Sequence, residues 1–170
     1  MNKSQITTMP AFFDRYINLA DDVELVDGLI ASLTLFDNYL DDLERVADKR
    51  YAPGKWTPKD IIQHITDNER IMAYRALRIA RNDKTALPGY EEDLLASNTN
   101  ANSRLMVDLL IEFKIVRQSN IILFHNFNDE MLIRSALCNN IETTPLSLGF
   151  VLIGHQIHHL NVLKEKYFVL

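Results

Sequence analysis

The stretch that decides the reading is PLSLGFVLIGHQIHHLNVLKEK, Pro145 to Lys166, which holds three of the chain's five histidines. Thr144 can cap a helix and Pro145 suits its first position, so the spacing predicts one helix over the whole stretch. Successive residues of a helix turn by about 100°, which assigns each side chain a direction. Leu148, Val151, Leu152, His159 and Val162 point with His155, so two imidazoles are set into an apolar stripe. His158 projects with Ser147, Asn161 and Glu165 along the polar strip and reads as a solvated or surface-bonded side chain. Phe150, Ile153, Ile157 and Leu160 form a second apolar face, which another helix of the chain or a second subunit must cover.

Working outward, three more helical segments appear. The earliest follows Asp21 and Asp22, carries Val26, Leu29, Ile30, Leu33, Phe36, Leu40 and Leu43 on one face, and runs to about Asp48. The next starts near Pro58, where Thr57 caps and Asp60 completes a capping box. It continues through DIIQHITDNERIMAYRALRIARN to the turn LPGY, Leu87 to Tyr90. After the polar SNTNANS, Ser97 to Ser103, a third stripe of Leu105, Leu109, Phe113, Val116 and Leu123 extends to about Phe127. No segment alternates with period two, so a sheet is not expected; the fold class is all-α, a four-helix bundle in one domain spanning residues 1–170.

Composition narrows the function. A formal charge of -5, from 23 acidic and 18 basic residues, leaves no basic surplus for a nucleic-acid partner. The apolar runs are too short to span a membrane, and MNKSQITTMP lacks a signal peptide's apolar core, so the expected location is cytoplasmic. Cys138 is the only cysteine, which excludes an internal disulfide and a thiolate-rich zinc site; a metal would need nitrogen and oxygen ligands.

Those nitrogens are available. His155 and His159 stand one turn apart and can converge on one ion, or they can be core imidazoles; the inner Glu of a zincin motif is absent, which excludes that protease class. His64, in mid-helix, is the natural third ligand and His125 a weaker one. Asp67 and Asn68 are candidates for orienting a ligand or touching substrate, whereas Glu69 reads as ordinary helix surface. Arg75 shares the His64 face and suits either an anionic part of a substrate or an interhelical ion pair; Tyr90 is a candidate pocket contact. Trp56 is read as a packing anchor for the helix that follows it.

These segments resemble the DinB superfamily, and within it the YfiT-like metal-dependent hydrolases. The likeness runs from FFDRYINL through APGKWTPKDIIQHITDNERIMAYRALRIARND and LPGYEEDL to LGFVLIGHQIHHLNVLKEKY. It implies a four-helix bundle, usually a homodimer, with His64, His155 and His159 holding one divalent ion: zinc or nickel first, manganese or iron next. It also implies a small-molecule substrate. Members include S-transferases that use a low-molecular-weight thiol such as bacillithiol or mycothiol, and a mycothiol-dependent isomerase. An open divalent site serves both chemistries, because the ion lowers the pKa of the water or thiol that fills its free positions. The expected function is therefore a metal-dependent thiol S-transferase or hydrolase, the alternative being a non-catalytic metal-binding or stress-associated helical module.

Overall fold

The structure, a computed structural model, describes all 170 residues. Its helices in chain order are α1 (Asp14–Ile17), α2 (Leu25–Ser32), α3 (Leu40–Val46), α4 (Pro58–Ala80), α5 (Glu92–Ser97), α6 (Met106–His125), α7 (Asp129–Ile133) and α8 (Pro145–Val162), the last running on into a π-helical turn, Leu163–Tyr167. The long helix α4 packs on both α6 and α8, and the broken run α2–α3, with α2 against α6 and α8 and α3 against α6, completes a four-helix bundle. No helix is long and apolar enough to cross a membrane.

Both Thr-Pro starts are realised. Thr57 Oγ1 accepts from Asp60 N (3.1 Å) while Asp60 Oδ2 accepts from Thr57 N (2.9 Å), and Thr144 and Ser147 form the same reciprocal pair at α8. The expected single helix from Asp22 to Asp48 is instead two helices joined by a 3-10 turn at Asp37–Tyr39. At the break the Ser32 carbonyl accepts from Gln156 Nε2 of α8 (3.0 Å), and the backbone tightens to i,i+3 bonds such as Leu35 N to Ser32 O and Asp37 N to Thr34 O.

A small sheet forms where none was expected: β1 (Ala136–Cys138) pairs antiparallel with β2 (Ile141–Thr143). Strands of three residues are too short to show alternation. The signal is in the turn, where Asn139 and Asn140 take positive φ of 52° and 62°, the backbone of a two-residue type I′ hairpin.

Two apolar clusters fill the bundle. One gathers Ile17, Leu25, Leu29, Met72, Phe124, Leu148 and Phe150; the other gathers Phe36, Leu43, Ile62, Phe113, Leu160 and Leu163. The second apolar face of α8 is thus covered within the chain, with Phe150, Ile153 and Leu160 buried. Helix α6 departs from its expected stripe. Leu105 is exposed, and the buried line runs Leu109, Phe113, Arg117, Asn120, Phe124, leaving Val107, Ile111, Ile115 and Ile122 exposed along one side.

Between the clusters lies a buried polar layer. Arg117 of α6 and Glu69 of α4, both essentially inaccessible, form a two-bond ion pair (Nη2–Oε1 2.6 Å, Nε–Oε2 3.1 Å). Arg117 also donates to Ser32 Oγ and to the Leu152 carbonyl (3.2 Å), and Asn120 Nδ2 donates to Glu69 Oε2 (2.8 Å). The surface reading of Glu69 is corrected here: its partner comes from a helix whose apolar residues encircle it, so no polar face marked the contact in the sequence.

Candidate metal centre

Helix α4 brings His64, and α8 brings His155 and His159, to one point. His155 Nε2 lies 3.1 Å from both His64 Nε2 and His159 Nε2, and one ligand atom from each of the three rings falls within 4.8 Å of the others. His64 and His155 are buried and His159 is half-buried. Two walls are aromatic: Trp56 lies tilted against His64 (4.7 Å between centroids), and Tyr16 stands edge-on to His155 (5.0 Å). The packing role of Trp56 is thus against a ligand candidate.

Tyr16 reaches His155 because α8 has no side chain at Gly154. A Cβ there would stand 1.8 Å from the Tyr16 carbonyl oxygen, so only glycine lets α1 lie this close to the histidine block. Arg15 donates to Tyr16 Oη (2.9 Å) and stacks over Phe12. His158 is half-buried rather than solvated, edge-on to Tyr16 at 5.4 Å, and does not join the three convergent rings. His125 is exposed at the end of α6, apart from them.

The triad fits a divalent ion. Metal–nitrogen bonds of about 2.0–2.1 Å at tetrahedral angles place the nitrogens about 3.3 Å apart, close to the spacing seen. Burial pushes the His64 pKa down to about 4. Burial, then the neighbouring imidazoles, holds His155 and His159 well below the ordinary value. The rings are therefore neutral, which is the ligating form, and convergent lone pairs of neutral rings repel unless a cation or proton lies between them.

The site borders a cavity of about 260 Å³ lined by Trp56, Lys55, Tyr51, Asp93 and His159. Asp93, in α5, also borders a second cavity of about 390 Å³ that includes Arg75 and Tyr90. Its position was not apparent in the sequence, since α5 is short and the loop before it lacks periodicity.

The other candidates separate. Asn68 is buried and donates to Tyr90 Oη (2.9 Å), tying α4 to the LPGY turn. Asp67 turns to Gln63 (2.9 Å) and Arg70 (3.4 Å) and does not reach the triad; burial raises its pKa, opposed by those two neighbours. Arg75 makes no interhelical ion pair: its guanidinium donates to the Pro88 carbonyl (2.8 Å) and to Met72 Sδ (3.6 Å).

Comparison with known proteins gives the family and the fold. The sequence model of the DinB superfamily matches residues 29–163. YfiT from Bacillus subtilis, described as a probable metal-dependent hydrolase with an unusual four-helix bundle topology, superposes with a TM-score of 0.69 at 16% identity over 90% of this chain and 84% of that one. No curated protein sequence matches.

Proposed function

Because this chain belongs to the DinB superfamily, we propose that it is a divalent-metal-dependent enzyme of the hydrolase type, with His64, His155 and His159 as the ligands. The observation that carries the reading is the convergence of three neutral imidazole nitrogens beside an accessible cavity. The description of YfiT supports it. Zinc and nickel suit an all-nitrogen tripod best, with manganese or iron less favoured.

When bound, the ion supplies Lewis acidity that activates a water or a low-molecular-weight thiol. The chain supplies the rest. Trp56 and Tyr16 fix two ligand rings and keep bulk water from them. Asp93, the carboxylate shared by both cavities, is the group assigned to take the nucleophile's proton. Asn68 holds Tyr90 at the cavity wall. A homodimer is assigned to the exposed Val107, Ile111, Ile115 and Ile122 of α6, an apolar stripe that the chain leaves uncovered.

The test is turnover of ester, amide and electrophile panels by zinc- or nickel-loaded protein, with and without a small thiol, beside the chelated protein. Metal-dependent turnover in water alone assigns a hydrolase; turnover only with thiol assigns an S-transferase. Bound metal with no turnover in either panel overturns the enzyme reading and leaves a non-catalytic metal-binding module.

A further inference from the structure

Arg75 is a buried cation that no carboxylate neutralises. It is only 4% exposed, yet its partners are a carbonyl and a thioether, both uncharged. Burying a charge in this way is costly unless an anion compensates it. Elsewhere the protein meets that requirement: Arg117, equally buried, is paired with Glu69.

The guanidinium has donors to spare. Of its five N–H groups, two are engaged, by Pro88 and Met72. These two bonds hold the fork at the wall of the 390 Å³ cavity. Beside it, 5.7 Å from the guanidinium carbon, stands the ring of Tyr90. Tyr90 Oη accepts from Asn68, so its own hydroxyl proton is left to donate. The floor of this cavity therefore offers hydrogen-bond donors and one positive charge.

Its rim is the opposite. Glu91, Glu92 and Asp93 line the mouth, and Arg15 faces Glu92 there. A single buried positive charge behind an acidic rim suits a monoanion and disfavours a doubly charged group, which the rim would repel. The planar fork of an arginine, aided by a hydroxyl, matches a carboxylate.

We propose that Arg75 and Tyr90 form a carboxylate-binding subsite, so that the substrate is a monocarboxylate carrying its reacting group at a distance from the acid. Distance follows from α4. His64, Asn68, Met72 and Arg75 lie along one buried face, and three turns, about 16 Å of helix, separate the first from the last. Asp93 lines both cavities, so an elongated substrate anchored at Arg75 and reaching the histidines would run beside that carboxylate. This assignment rests on the proposed metal-dependent function for what happens at the far end, but the subsite itself needs no metal.

The experiment is ligand-observed NMR titration of chelated protein with hexanoate, its neutral isostere hexanamide, and inorganic phosphate. Chelation removes the metal as a competing carboxylate ligand and makes the outcome independent of whether the triad is catalytic. The expected result is saturable hexanoate binding at least about tenfold tighter than hexanamide, with phosphate weaker still. Arg75→Met should erase the preference, and Tyr90→Phe should reduce it by a smaller factor. Equal binding of hexanoate and hexanamide, or a preference unchanged in folded Arg75→Met, overturns the subsite; if that variant does not fold, the wild-type ratio and Tyr90→Phe decide. Phosphate binding more tightly than hexanoate overturns the monocarboxylate assignment.

Discussion

Two buried polar clusters share helix α4, little more than a turn apart. In one, Glu69 of α4 meets Arg117 and Asn120, while Gln156 of α8 reaches the Ser32 carbonyl. In the other, His64 of α4 meets His155 and His159 of α8. The first holds opposite charges that satisfy one another through short bonds. The second holds three groups of one kind, aimed at a single point, with no acid or carbonyl among them. Burial alone therefore does not mark a site. A polar cluster closed upon itself is part of the scaffold, whereas three ring nitrogens converging on one point, with no carboxylate or carbonyl among them, suit a ligand the chain does not contain.

The sharpest way to break that contrast is to cut each cluster. Glu69→Ala leaves Arg117 charged and unpaired in the core, and about 3–5 kcal/mol of stability should be lost in urea unfolding. Replacing the pair together, Glu69→Leu with Arg117→Met, should return most of it. His155→Ala should remove the bound metal while the chelated protein unfolds at nearly its original urea concentration, because no paired charge is lost. A large stability loss in the chelated histidine variant would make the two clusters alike and end the distinction.

Next in size is Gly154→Ala. Its methyl group would strike the Tyr16 carbonyl, forcing α1 away from α8 at a cost of about 1–3 kcal/mol. Urea unfolding measures that cost, and a Trp56 fluorescence titration would show whether metal affinity weakens as the Tyr16 wall moves off His155.

Acid provides a gentler probe. Because burial holds the folded His64 pKa at about 4, against 6.5 unfolded, the unfolded chain takes up protons the folded chain refuses. Stability of the metal-free protein is thus fully present above pH 6.5 and falls as pH drops toward 4; His64→Ala should flatten that slope. The smallest expected effect is at the cap of α4, outside both clusters: Thr57→Ala should cost about 1 kcal/mol without altering metal content.

Much of this was legible from the residues alone, for reasons that differ by element. Thr57-Pro58 and Thr144-Pro145 encode helix starts locally, so α4 and α8 could be placed to within a few residues. The i,i+4 pair His155 and His159 follows from the same geometry. What stayed hidden depends on partners distant in sequence. The helix expected to run to Asp48 breaks where Gln156, 124 residues away, donates to the Ser32 carbonyl. Glu69 is buried against Arg117, and the apolar stripe read on α6 caught Leu109 and Phe113 but not the polar Arg117 and Asn120 that turn inward beside them. Asp93 and Tyr16 come to the site on helices of six and four residues, too short for periodicity to register.

The central claim is that the histidine cluster is built for an ion. Elemental analysis of untagged protein, beside His64→Ala, His155→Ala, His159→Ala and His158→Ala, each checked by circular dichroism, tests it directly. The account predicts about one divalent ion per chain, retained in His158→Ala and lost in the other three while all remain folded. A wild-type protein that holds no ion even after incubation with zinc or nickel, or triad variants that keep it, would contradict the account.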